Sequence, residues 1–174
     1  MPDDREPRIP PLHEGEWDDV LANVGAGLGP VLNIHRVLAH HPELLTAWTP
    51  LRHHVATGGS LAPRHRELLI LRVAHRAESD YEWHHHVLRG RAAGLTDDEI
   101  EAIRSSRPGG STDDETALLA AADQLFDGLS IGESTWDLLR AGFTTQQILD
   151  IIVTVGVYVT LAMVIGATGV PIEP

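Results

Sequence analysis

The first residue to attract chemical attention is a glutamate in apolar company. In the segment Pro63-Arg64-His65-Arg66-Glu67-Leu68-Leu69-Ile70-Leu71-Arg72-Val73-Ala74, the positions three, four and seven beyond Glu67 are Ile70, Leu71 and Ala74. On a helix these share one face, so the carboxylate is directed toward a core. Burial alone would raise its pKa, whereas an arginine or a hydrogen-bond donor would keep it ionised. The site is therefore either a structural pairing, with Arg64 one turn back as the nearest candidate, or a place for proton chemistry. A second pair follows in Asp80-Tyr81-Glu82-Trp83-His84-His85-His86-Val87-Leu88-Arg89. Glu82 and His86 stand four apart, on the border of the stripe formed by Trp83, Val87 and Gly90. A carboxylate one helical turn from an imidazole raises the histidine pKa and orients the ring, as a general acid or base requires; the same spacing also makes an ordinary surface pair.

The rest of the composition narrows the chemistry. All thirteen basic residues are arginine and there is no cysteine, which excludes lysine Schiff bases, thiol catalysis, disulfides and thiolate metal sites. Three consecutive histidines fan out by about 100° each and cannot converge on one metal. His40 and His41 precede Pro42 at a helix junction, where capping and solvent contact account for them. With no third ligand identified beside Glu82 and His86, a metal is not expected.

The elements that must hold these residues are helical. Breaks and caps predict a short helix near Trp17, then helices over about 31–40, 43–56, 63–77 and 80–93, the last closed by Gly94-Leu95. Thr96 with Glu99, Thr112 with Glu115, and Thr144 with Gln147 read as capping boxes that start three more. Residues 106–111, with Pro108-Gly109-Gly110, form the clearest loop. Residues 1–16, carrying four prolines, read as an extended arm, and 17–174 as a single domain. A length of 174 residues with 43% hydrophobic and 22% charged residues suffices for one core. Trp17, Trp48, Trp83 and Trp136 read as core or interface anchors. Ile151 to Val170 holds no charge and is long enough for a membrane span, but its glycines, its threonines and the absence of a basic flank favour a helix buried in a bundle or between subunits.

Taken together, several of these segments resemble a known family. Arg66-Glu67-Leu68-Leu69-Ile70-Leu71-Arg72-Val73-Ala74, then Tyr81-Glu82-Trp83, His86 and Ala93-Gly94-Leu95, with Val31-Leu32-Asn33-Ile34-His35-Arg36 and His40-His41-Pro42-Glu43-Leu44-Leu45 upstream, are similar to the carboxymuconolactone decarboxylase and AhpD-like group. The resemblance covers about residues 30–170. It implies an all-α, AhpD-like helical bundle, assembled as a trimer or hexamer with sites where subunits meet. In the redox branch a glutamate precedes a Cys-x-x-Cys motif followed by a histidine; by this likeness they fall at Glu67, at Ser79 and Glu82, and at His86. Without the two thiols, disulfide exchange and thiol peroxidase activity are not expected.

What the resemblance leaves is an acid-base framework similar to the decarboxylase branch, which needs no cofactor. The expectation is a lyase acting on a small carboxylated lactone or enolisable acid by decarboxylation or proton transfer. Glu67, Glu82 and His86 would be catalytic, with His86 as proton donor, and Tyr81, Arg72 and Arg89 would contact substrate. The alternatives are a non-catalytic oligomeric small-acid-binding protein, or an AhpD-like oxidoreductase relative that has lost its thiol chemistry. A formal charge of −12 repels phosphate backbones and anionic bilayers, so neither nucleic acid nor membrane is expected as a partner. With no basic-then-apolar leader in the first residues, the cytoplasm is the expected location.

Overall fold

The computed structural model describes residues 6–105 and 109–173. Among them it is all-helical, with nine α-helices, one π-helical turn and no strand. Contacts divide the chain into two compact units. One comprises the chain up to Gly58 together with the residues from Met163, and the other is Gly59–Ala162.

The first unit contains α1 (Asp18–Leu28), α2 (Asn33–Leu38), α3 (Pro42–His53) and a π-helical turn, His54–Gly58. His41 caps α3, its imidazole accepting from the Leu44 amide. The arm is docked rather than free: the Arg8 amide bonds the Thr168 carbonyl at 2.8 Å, and His40 Nε2 lies 2.9 Å from the Pro10 carbonyl. Residues 1–5 of the expected arm, and 106–108 of the expected loop, lie outside the described residues.

The second unit is built around α4 (Pro63–Arg76), which packs on α5 (Asp80–Ala92) and α7 (Asp113–Gly128). Pro63 opens α4 at a position where its missing amide costs nothing. Every residue from Glu67 to Ala74 is buried. Leu69, Ile70 and Leu71 are fully enclosed, each contributing roughly 1.5–3 kcal/mol by leaving water. Gly90 allows the approach of α4 and α5, since a Cβ there would stand 3.3 Å from Leu71 Cδ1. After α5, Gly94 turns at φ +89° and the Leu95 amide bonds the Gly90 carbonyl, the closure expected of Gly94-Leu95.

The remaining helices are α6 (Asp97–Ala102), α8 (Glu133–Gly142) and α9 (Thr145–Thr168). Thr96 with Glu99 and Thr144 with Gln147 form complete capping boxes. The Thr112 box is only half made. Its hydroxyl accepts from the Glu115 amide, but the Glu115 carboxylate is drawn to Arg64 at 2.6 Å. Arg64 also holds Glu99, so it ties the starts of α6 and α7 to α4 and is not the partner of Glu67. The sequence reading missed α8, which begins at Gly132 without a side-chain cap and so lacks the signal by which the others were found.

α9 is the one described helix long and apolar enough to cross a membrane by length and composition. It is not wrapped on all sides by its own chain. Leu149, Val153 and Met163 are 57%, 38% and 65% exposed, and they align with Gly156, Thr160 and Ala167 at alternating spacings of four and three.

Candidate active site

α4 and α5 bring Glu67 and His86 together. Glu67 Oε2 lies 2.6 Å from His86 Nδ1, with both side chains about 95% buried. The expected Glu82–His86 pair is not formed, and the imidazole takes its carboxylate from the neighbouring helix instead. Arg66 Nε stands 3.4 Å from the other oxygen of Glu67. On the far side of the ring, Arg89 Nη1 is 3.2 Å from His86 Nε2. The ring of Tyr158, from α9, meets that of His86 edge-on, with centroids 5.1 Å apart.

These contacts fix the protonation of the histidine. A guanidinium has only donors, so Nε2 accepts from Arg89 and must carry the lone pair. The ring proton then resides on Nδ1 and is donated to Glu67. Burial would raise the Glu67 pKa, but the hydrogen bond and charge from His86, with Arg66 and Arg89, outweigh it and hold the carboxyl below its usual range. At His86 the balance is reversed: burial dominates, and with Arg89 it overcomes the pull of Glu67 and keeps the imidazole neutral. The resting state is carboxylate, neutral imidazole and guanidinium in a line.

Glu82 is in the opposite condition. It is 3% exposed, and neither carboxylate oxygen has a hydrogen-bond partner among the described residues. Burial pushes its pKa up to about 8. Ser79 is the N-cap of α5 and receives the Glu82 amide at 3.5 Å. At neutral pH Glu82 therefore keeps its proton. Two carboxyl groups of one unit are separated by environment into an ionised partner for a base and a neutral acid. Ser79 also lines a cleft of about 380 Å³ at the α4–α5 turn, shared with His75, Trp83 and Arg104.

The other predicted residues are placed as follows. Tyr81 is buried, with its ring against His85 at 4.6 Å between centroids. Arg72, 2% exposed, is consumed by the core: Nε and Nη2 bond Asp123 at 2.7 and 2.9 Å, and Nη1 bonds the carbonyls of Ile103 and Ser105. It braces α4 against α7 and has no nitrogen left for a substrate. Arg89 is half-buried and in contact with the site. His84 is exposed. Sequence reasoning missed Tyr158 and Arg66. The available signal for Tyr158 was a phenol within an uncharged run; Arg66 was visible only as a charge beside Glu67. Among the described residues no three metal-capable side chains cluster.

The fold has counterparts among known proteins. Residues 42–124 match the carboxymuconolactone decarboxylase family. An AhpD-like protein of unknown function from Agrobacterium tumefaciens is 22% identical with a TM-score of 0.70, over 79% of this chain and 95% of its own. An uncharacterised peroxidase-related protein from Silicibacter gives 0.79 at 20% identity, over 98% and 96%. A variant of the debrominase Bmp8 in complex with 2,3,4-tribromopyrrole gives 0.79 at 15% identity, over 98% and 94%. No curated protein matches the sequence significantly. The chain has the AhpD-like helical fold of these structures, and its residues 42–124 are similar to the carboxymuconolactone decarboxylase family. Unlike the redox pattern of that group, it has no cysteine.

Proposed function

We propose that this protein is a cofactor-free lyase or isomerase acting on a small carboxylated lactone or related enolisable acid. The observation that carries the reading is the coexistence of a neutral His86, oriented by ionised Glu67, with a protonated Glu82 one turn away on α5. Such a site needs only to form an enolate and return a proton to carbon. The enolate arises by loss of CO2, with the C–C bonding pair passing into the lactone carbonyl, or by transfer of an α-proton to His86 Nε2. Glu82 then gives its proton to the carbanion carbon and becomes a carboxylate, which regains a proton from water or, in the isomerase case, from the charged imidazole. This changes the division of labour expected from the sequence, since Glu82 supplies the proton and the imidazole acts as base. Arg89 supplies the charge that seats a substrate carboxylate, and Tyr81 remains the candidate hydrogen-bond donor to the enolate oxygen.

The reading includes self-association, in which the exposed row of α9 is covered by further copies of the chain as a trimer or hexamer, and a cytoplasmic location. His86→Ala should abolish turnover of a responsive lactone, with helicity by circular dichroism unchanged. Retained turnover would remove His86 from the mechanism. Saturable binding without any product across a panel of lactones, followed by mass spectrometry, would instead support a small-acid-binding protein.

A further inference from the structure

The Arg89–His86 contact occupies the one basic lone pair of the imidazole. His86 Nδ1 is committed to Glu67 and Nε2 accepts from Arg89. A nitrogen whose lone pair lies in a hydrogen bond from a cation cannot take another proton until the cation moves. The arginine is also unlike its neighbours. Arg64, Arg72 and Arg76 each hold a carboxylate at 2.7 Å or closer. Arg89 forms no ion pair among the described residues, and its one hydrogen bond there goes to a neutral ring. It lies three residues after His86 on α5 and is only half-buried, so its guanidinium is both tethered to the base and reachable from outside. Among the described residues, four of its five N–H donors are uncommitted. For such a group, a carboxylate is a stronger partner than an imidazole nitrogen, because it offers opposite charge and two parallel acceptors.

We propose that Arg89 is a positioning residue that caps His86 Nε2 in the ligand-free protein and releases it when a substrate carboxylate takes the guanidinium. One N–H···N bond breaks and two N–H···O bonds form, so the base is unmasked only by molecules carrying the anion it serves. This rests on the proton-transfer reading above and deepens it, since the carboxylate selects the substrate by switching on the base as well as by holding the molecule in place. Neutral esters or amides of the same shape would meet a masked nitrogen.

The test uses the full chain labelled with 15N-histidine. In the ligand-free protein, the His86 Nε2 resonance should be that of an unprotonated nitrogen shifted upfield by hydrogen bonding. Formate, acetate and benzoate should move it downfield saturably, while formamide, benzamide and chloride at equal ionic strength should not. Arg89→Gln should show the downfield position without any addition and lose the response to carboxylate; Arg89→Lys, which keeps the charge without the fork, should respond more weakly than wild type. No response to any of the three carboxylates, or an Nε2 resonance in Arg89→Gln identical to that of the wild type, would overturn the proposal. Absence of lactone turnover with this spectral response intact would refute the proposed activity alone. Turnover in a protein whose Nε2 ignores carboxylates would refute the switch alone.

Discussion

Glu67, Glu82 and His86 show what a sequence can and cannot say about individual side chains. The burial of Glu67 was legible because its apolar company recurs at helical spacing. Its partner was not, because i,i+4 arithmetic sees only one helix while His86 found its carboxylate across α4 and α5. Glu82, whose buried carboxyl has no hydrogen-bond partner among the described residues, makes a measurable demand on stability. Its folded pKa, about 8, is above the unfolded value of 4.5, so the folded state binds the proton more tightly. The resulting stabilisation is fully present below the unfolded value and is lost as pH rises toward 8. Denaturant titrations from pH 5 to 8 should show the wild type losing stability relative to Glu82→Gln, whose own profile should be flatter over that range. Arg72 makes the converse case. Its charge suggested an anchor for substrate, but its partner Asp123 lies 51 residues away on α7 and could not be inferred from local spacing. Arg72→Ala should cost about 3 kcal/mol in urea unfolding, because the buried Ile103 carbonyl loses its donor and Asp123 is left with Arg76 alone. Substrate KM should remain unchanged.

At the level of the helix, chemical punctuation was the most readable feature. Pro63, Gly94 and two complete capping boxes mark boundaries that the structure reproduces. Where no side chain punctuates, as at the start of α8, the reading failed. The end of α7 is a different kind of exception. Leu129 holds the left-handed conformation, at φ +55°, that glycine usually supplies, and it is 90% exposed. A β-carbon is disfavoured in that region by roughly 1–2 kcal/mol, and here the side chain gains little from burial. Leu129→Gly should therefore raise unfolding stability by about 1 kcal/mol, less than the full steric relief because glycine adds entropy to the unfolded chain. Equilibrium urea denaturation would register the gain, and a loss of stability would show that Leu129 has packing partners in solution.

For the molecule as a whole, class was easier to read than environment. The all-helical fold followed from periodicity and caps, and the segment resemblance pointed to the family that residues 42–124 match. What covers the outer face of α9 was not legible, because apolar composition reads the same whether the neighbour is this chain, another copy or lipid. If copies of the chain cover it, Met163→Glu should reduce the mass seen by light scattering on gel filtration, leaving helicity intact. An unchanged mass would show that assembly does not use this row. The spacing of the row has a geometric consequence of its own. Leu149, Gly156 and Met163 recur every seven residues, as do Val153, Thr160 and Ala167, a heptad of 3.5 residues per turn, whereas a straight helix turns once in 3.6. The line through them slips by about 20° per heptad, tracing a slow left-handed spiral around the cylinder. A flat surface would touch only part of that spiral, but a second rod inclined at about 20° can follow it from end to end.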